Sequence, residues 1–253
     1  MTESAIERFT REDGETIAYL QRRGKSPAVL WLGGFKSDMN GTKAQALDQW
    51  AERRGQAFLR FDYYGHGASS GEFRKGTIGR WRDDALAVLD RLCGGPQILV
   101  GSSMGAWIAL LVARLRPERI AALFLLAPAV DFTETLMWAK MPPEIRRQIM
   151  ETGEWQRPSV YGDDPCPITR ALIEEGRRHL LLDAELRIDC PVHILQGMKD
   201  LDVPWQHALA LVERLPGNPA ITLIKEGDHR LSTPADLRRI GAVLDSLLAE
   251  LTL

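Results

Sequence analysis

The feature that most constrains this chain is a series of short, unbroken apolar runs separated by stretches of helical periodicity. Ala28–Leu32 (AVLWL), Ala57–Phe61 (AFLRF), Gln97–Val100 (QILV), Ala121–Leu126 (AALFLL), Val192–Leu195 (VHIL) and Ala220–Ile224 (AITLI) are strand-length and lack regular polar alternation. Such runs belong to parallel strands covered on both faces. Between them, helical patterns run over Thr42–Arg53, Ile78–Leu92, Met104–Leu115, Trp205–Leu215 and Ala235–Leu251. In Ile78–Leu92 the residues Trp81, Ala85, Val88, Leu89 and Leu92 fall on one face. At the start, Glu7–Thr10, the turn pair Asp13-Gly14 and Thr16–Leu20 predict an antiparallel hairpin at a sheet edge. The alternation predicts an α/β chain: one doubly wound, mostly parallel eight-stranded sheet with helices on both faces and right-handed crossovers.

At 253 residues the chain fits one such domain, residues 1–253. The alternation pauses from Pro128 to Pro191. That interval holds two stretches of helical character, MPPEIRRQIM and ITRALIEEGRRHLLL, around a connection rich in Pro, Gly and Asp. We therefore expect a small helical cap over 128–190, inserted ahead of the VHIL strand.

Charge and composition remove several classes of function. A formal net charge of −2 leaves no basic surplus for gripping nucleic acid. The most apolar long stretch, Ile98–Ala113, is interrupted by glycines and serines and is shorter than the ~20 residues of a membrane span, so no transmembrane segment is expected. MTESAIERFTREDGE mixes acids and bases without an apolar centre, unlike a secretory or transit signal, which predicts a cytoplasmic protein. Cys93, Cys166 and Cys190 are far apart with no CxxC spacing, which suits a reducing compartment; Cys93 and Cys190 read as small residues in or near the core. No metal-ligand spacing is visible, so neither metal nor cofactor is expected.

The stretch most suggestive of chemistry is ILVGSSMGAWIAL, residues 98–110. A serine hydroxyl is a weak nucleophile, so it must be held exposed, beside a base, with donors ready for the oxyanion formed on attack. In the G-x-S-x-G elbow a sharp strand-to-helix turn does the first job, with glycines two residues either side of the serine. Gly101 and Gly105 meet that register for Ser103. Ser102 has Val100 and Met104 in those places and reads as a side chain packed beside the elbow.

The chain order serine, acid, histidine calls for a late histidine. Of five histidines, His66 lies in an early loop, where a structural or substrate-side role fits better than that of a base, His179 in the cap, His193 inside a strand and His207 on the first turn of a helix. His229, in IKEGDHRLS, directly follows a strand and falls at the same carboxyl edge of the sheet as Ser103. Its neighbour Asp228 points elsewhere by backbone alternation. For the acid, the loop in VHILQGMKDLDVPW offers Asp200 and Asp202, and Asp131 after an earlier strand is a further option. The spacing G-x-x-D-x-x-V-P favours Asp200. The oxyanion donors should be the N–H of Met104, just after the nucleophile, and one from LGGFKSD, where Phe35 is best placed.

Taken together, LGGFKSDMNGTKA, FDYYGHGASSGEF, GSSMGAW, GMKDLDVPW and GDHR, in this order and spacing, resemble the α/β-hydrolase fold family along nearly the whole chain. The longer phrases GPQILVGSSMGAW and GEWQRPSVY are similar to a narrower animal family of mitochondrial hydrolases acting as palmitoyl-protein thioesterases and acyl-glucuronide esterases. The resemblance implies Ser103, Asp200 and His229 in the triad positions and two-step acyl transfer on a small acyl ester or an S-acylated protein. Leu136, Met137, Trp138, Met141 and Trp155 in the expected cap would then line an apolar acyl pocket, or simply pack the cap onto the core. A broader carboxylesterase or acyl-glucuronide esterase, an acyltransferase using the same acyl-enzyme, and a hydrolase fold retired to ligand binding are the competing readings.

Overall fold

The computed structural model describes residues 5–158 and 165–251; the last three residues of GEWQRPSVY lie outside the described residues. The apolar runs form strands β1 (Glu7–Thr10), β2 (Thr16–Arg22), β3 (Lys25–Leu32), β4 (Gln56–Phe61), β5 (Gln97–Ser102) and β6 (Ile120–Leu126). After a separate pair, β7 (Glu154–Arg157) and β8 (Cys166–Thr169), the chain returns through β9 (Val192–Gly197) and β10 (Ala220–Ile224). Among the described residues one eight-stranded sheet runs in the order β1-β2-β4-β3-β5-β6-β9-β10. It is parallel except that β2 pairs antiparallel with β1 and β4.

Alternate residues of each central strand explain the missing polar alternation. Leu30, Leu32, Leu99, Leu123 and Leu125 enter a core on one face, closed by helices α2 (Ile78–Leu92), α3 (Met104–Leu115) and α6 (Trp205–Arg214). Val29, Trp31, Ile98, Val100, Ala122, Phe124 and Leu126 enter a second core on the other face, closed by α1 (Thr42–Arg54) and α7 (Pro234–Glu250). Both faces are apolar because both are covered.

Helix boundaries follow local chemistry. Thr77 starts α2 by accepting the Arg80 N–H at 3.2 Å. Thr233 and Asp236 form a reciprocal capping box at α7. Gly55, left-handed at φ 62°, ends α1.

Between β6 and β9 the expected pair of helices is replaced by a mixed fold. A π-turn and a 3-10 turn over 133–140 lead into α4 (Pro143–Thr152), and α5 is only Arg170–Gly176. The stretch read as helical from Ile168 begins as β8, pairing with β7, because Pro167 cannot continue a helix backwards and Cys166 and Ile168 alternate into a small core. Thr169 caps α5 by accepting the Leu172 N–H at 3.1 Å. After α5 and the 3-10 turn Arg177–His179, the chain turns away where the buried Asp131 carboxylate accepts the N–H groups of Leu181 and Leu182 at 2.9 and 2.8 Å. Another difference is β3, which starts at Lys25 rather than Ala28; Pro27 donates no hydrogen bond and the ladder shifts register between Lys25 and Val29.

Candidate active site

Ser103 joins β5 to α3 with φ 54° and ψ −117°, a conformation an L-residue adopts only under constraint. The constraint is visible on both sides. The Ser103 N–H donates to the Leu126 carbonyl at 2.9 Å, and the Ser103 carbonyl accepts from Ala106 and Ala129 at 3.0 and 3.2 Å. Glycine is required at both flanks. A Cβ on Gly101 would meet the Gly105 carbonyl and lie 2.6 Å from the Ala106 Cα, and one on Gly105 would strike the Leu32 carbonyl oxygen and lie 2.6 Å from that of Gly33. The helix thus sits against the loop after β3, and Ser103 is the residue raised at the bend. Ser102 is buried in the last position of β5.

The loops after β9 and β10 bring two further groups to this edge. His229 Nε2 lies 3.1 Å from Ser103 Oγ, and its Nδ1 lies 2.8 Å from Oδ2 of Asp200. The Asp200 side chain is fully buried. Its Oδ1 accepts the backbone N–H groups of Asp202 and Val203 at 2.9 and 2.8 Å, and Oδ2 also accepts from Gln196 Nε2 at 3.2 Å. Asp200, Asp202 and His229 bring ligand-type atoms within 4.8 Å of one another, but the His229 and Asp200 atoms are engaged in these bonds. Lys43, pushed down to about 8 chiefly by burial, donates to the Arg230 carbonyl beside His229.

The remaining acids and histidines point elsewhere. Asp228 accepts the Leu231 N–H at 2.9 Å, and Asp131, raised to about 6 by burial, is occupied by Leu181 and Leu182. His179 faces Glu175, His193 Nε2 meets the Thr222 hydroxyl at 3.0 Å, and His207 Nε2 meets the Val130 carbonyl at 2.7 Å. His66 is buried and bonded to the loop after β3.

That loop, Gly33 to Ser37, lies against the elbow. A Cβ on Gly34 would come 3.4 Å from the Ser102 carbonyl oxygen and 3.5 Å from the Ser103 Cβ. Phe35 follows directly. Met104 is the first residue of α3, whose first-turn N–H groups have no intrahelical acceptor. Beyond Phe35, Met141 forms a small core with Ile149, Cys166, Ile168 and Ile173, against which Met137, Trp138, Trp155 and Phe35 itself pack. Leu136 and Met137 pack on the larger core. The Trp138 ring is flanked by the guanidinium groups of Arg146 and Arg177 at 5.6 and 5.1 Å.

For His66 the sequence pointed to a structural or substrate-side role but missed its partner, the Lys36 N–H. The signal was the triple Gly65-His66-Gly67. Both glycines have positive φ, 69° and 45°, and added Cβ atoms would strike Phe73 and the Asp62 carboxylate, so this loop is folded tightly against its neighbours.

A sequence profile described as "Alpha/beta hydrolase family" matches residues 30–240. The chain belongs to the α/β-hydrolase family. This hydrolase is 39% identical over 247 residues to the mouse protein named mitochondrial palmitoyl-protein thioesterase ABHD10, covering 96% of this chain and 82% of that one. A crystal structure of a hydrolase-type protein from Agrobacterium vitis S4 superposes with TM-score 0.91 at 43% identity, covering 97% and 98% of the two chains. Mouse α/β-hydrolase domain-containing protein 10 superposes equally well, TM-score 0.91 at 38% identity, over 98% and 100%. Because the mouse relative is named mitochondrial, the likeness lends no support to the cytoplasmic expectation. Among the described residues no helix is long and apolar enough to cross a membrane.

Proposed function

We propose that this hydrolase is an acyl-protein thioesterase acting through Ser103, His229 and Asp200. The observation that carries the reading is the His229 ring, within hydrogen-bond reach of Ser103 Oγ on one nitrogen and of Asp200 on the other, at 3.1 and 2.8 Å. The thioester class rests on likeness to the mouse palmitoyl-protein thioesterase.

In this reading Ser103 Oγ attacks the thioester carbonyl and gives its proton to His229 Nε2, while Asp200 holds the ring by its Nδ1–H and stabilises the imidazolium. The C–S bond breaks, and His229 returns the proton to the departing thiolate. Water then attacks the acyl-serine, passes a proton to His229, and the fatty acid leaves as Ser103 is reprotonated. The N–H groups of Phe35 and Met104 receive the oxyanion at both stages. Residues 128–190 act as the cap, with Leu136, Met137, Trp138, Met141 and Trp155 alongside the acyl chain. Their support is the small core that Met137, Trp138, Met141 and Trp155 share with Phe35, and the larger core on which Leu136 packs alongside Phe35.

The test is labelling with a fluorophosphonate probe, followed by assays on S-palmitoyl peptides and short oxygen esters. Labelling is expected in the parent and in Ser102→Ala and absent in Ser103→Ala. Labelling that survives Ser103→Ala would sink the site; ester hydrolysis without any action on S-palmitoyl peptides would sink the thioesterase.

A further inference from the structure

We infer that His66 is a positioning residue that holds the turn carrying Phe35 in the form that offers an oxyanion donor to Ser103. The inference rests on the serine-hydrolase reading above and adds a residue that reading does not use.

The turn itself is the first ground. Ser37 N–H donates to the Gly34 carbonyl at 3.2 Å, and its hydroxyl donates to the same oxygen at 2.7 Å, closing a four-residue turn with Phe35 and Lys36 at its centre. Lys36 has φ 57°. Positive φ in the third place is what a type II turn requires, and glycine is favoured there; a residue with a side chain is strained. Rotating the central peptide, between Phe35 and Lys36, would relieve that strain by converting the turn to type I. The Lys36 N–H, the group that would swing away, donates to His66 Nε2 at 3.2 Å. One imidazole nitrogen thus opposes the flip, at a turn whose first residue lies beside the Ser102 carbonyl and the Ser103 Cβ.

The chemistry of His66 fits that task. Its Nδ1 lies 3.1 Å from the Tyr64 carbonyl, so Nδ1 carries the proton and Nε2 presents its lone pair to Lys36. A cationic ring would have no acceptor to offer. The side chain is 4% exposed, and the rings of Tyr63, Phe73 and Trp81 surround it with centroids 5.7, 5.1 and 5.2 Å away. Burial pushes its pKa down to about 4, which keeps it neutral at the pH where a histidine base works. A box of this kind would hold Phe or Leu as readily if filling were its only purpose.

Three variants test the inference. Gln places an acceptor near the Nε2 position; Asn keeps only the partner of Tyr64; Phe fills the box without either. For each, kcat and KM on a short ester are measured with the inhibition constant of an alkylboronic acid, whose tetrahedral adduct occupies the oxyanion site, and the melting temperature. His66→Asn and His66→Phe are expected to lose kcat by about a hundredfold with KM little changed. Boronate affinity should fall in parallel, and His66→Gln should recover most of both. Should Phe fail to fold, the comparison of Asn with Gln decides. Boronate affinity unchanged in a folded Asn variant, or Gln as impaired as Asn, overturns the positioning role. Ser103→Ala run alongside separates the two readings. If it is inactive while the His66 variants are unimpaired, only the positioning role falls. If it remains active, both fall.

Discussion

His229 Nδ1 stands 2.8 Å from one oxygen of Asp200, while the other oxygen is taken by the N–H groups of Asp202 and Val203. The carboxylate is fixed before it meets the ring, so the ring has one orientation, with Nε2 toward Ser103. Asp200→Asn keeps the size of the side chain but allows the amide to present N–H to Nδ1, which selects the wrong tautomer. The expected loss in kcat is about 10,000-fold with the fold intact, and stopped-flow ester hydrolysis beside a melting curve measures both. Asp202→Asn, altering a side chain that leaves its own N–H on Asp200, should lose far less.

Gly105 is the joint between the elbow helix and the loop after β3. In an ordinary helix Gly→Ala stabilises by about 1 kcal/mol. Here the new Cβ would strike the Leu32 carbonyl and lie 2.6 Å from the Gly33 oxygen, both backbone atoms that cannot swing aside. Gly105→Ala is therefore expected to lower both the melting temperature and the rate of fluorophosphonate labelling. Gly94→Ala, where an added Cβ meets nothing within 4 Å, serves as the neutral control.

The parts of this fold that were legible in the sequence are those set by burial or local register. β3, β5, β6 and β9 read as apolar runs because both sheet faces are covered, and the glycines at 101 and 105 singled out Ser103 because only that register lets the helix reach Leu32. Asp200 and His229 were placed by following strands to one sheet edge, which the topology provides. The segment before β9 was less legible. β7 and β8 are four residues each and owe their pairing to one another, and the path of the chain at Leu181, beyond α5, is fixed by Asp131, fifty residues upstream. The bond from Lys36 to His66 joins residues thirty apart; Gly65-His66-Gly67 marks a tightly folded loop but does not name its partner.

Trp107 ties the elbow helix to the segment before β9. Fully buried, it donates from Nε1 to the His179 carbonyl at 3.0 Å and meets the Phe132 ring edge-on at 5.7 Å. Trp107→Phe keeps most of the apolar volume but leaves that carbonyl unpaired, at a cost of about 1–3 kcal/mol. The melting temperature should fall, and amide exchange over residues 177–182 should accelerate more than exchange in β5. Equal acceleration in both would mean that the bond supports the whole core rather than this junction.

Acid stability isolates the buried imidazole of His66. Its folded pKa of about 4 lies below the ordinary 6.5, so between these values the unfolded chain binds a proton that the native state does not. Stability therefore falls as the pH drops from about 6.5 toward 4, by an amount approaching 3 kcal/mol over the whole window. Asp84 and Asp131 act in the opposite sense. Burial raises both to about 6, so the native carboxyls hold protons that the unfolded chain has released, and their contribution grows as the pH falls below about 6. The net curve of the parent mixes these terms, but the difference between parent and His66→Gln removes the carboxyls. Melting temperatures measured at about pH 7 and pH 5 should show the parent losing more than the Gln variant. Parallel losses would mean that the native imidazole takes up its proton as readily as the unfolded one, and that it is not held as a neutral acceptor.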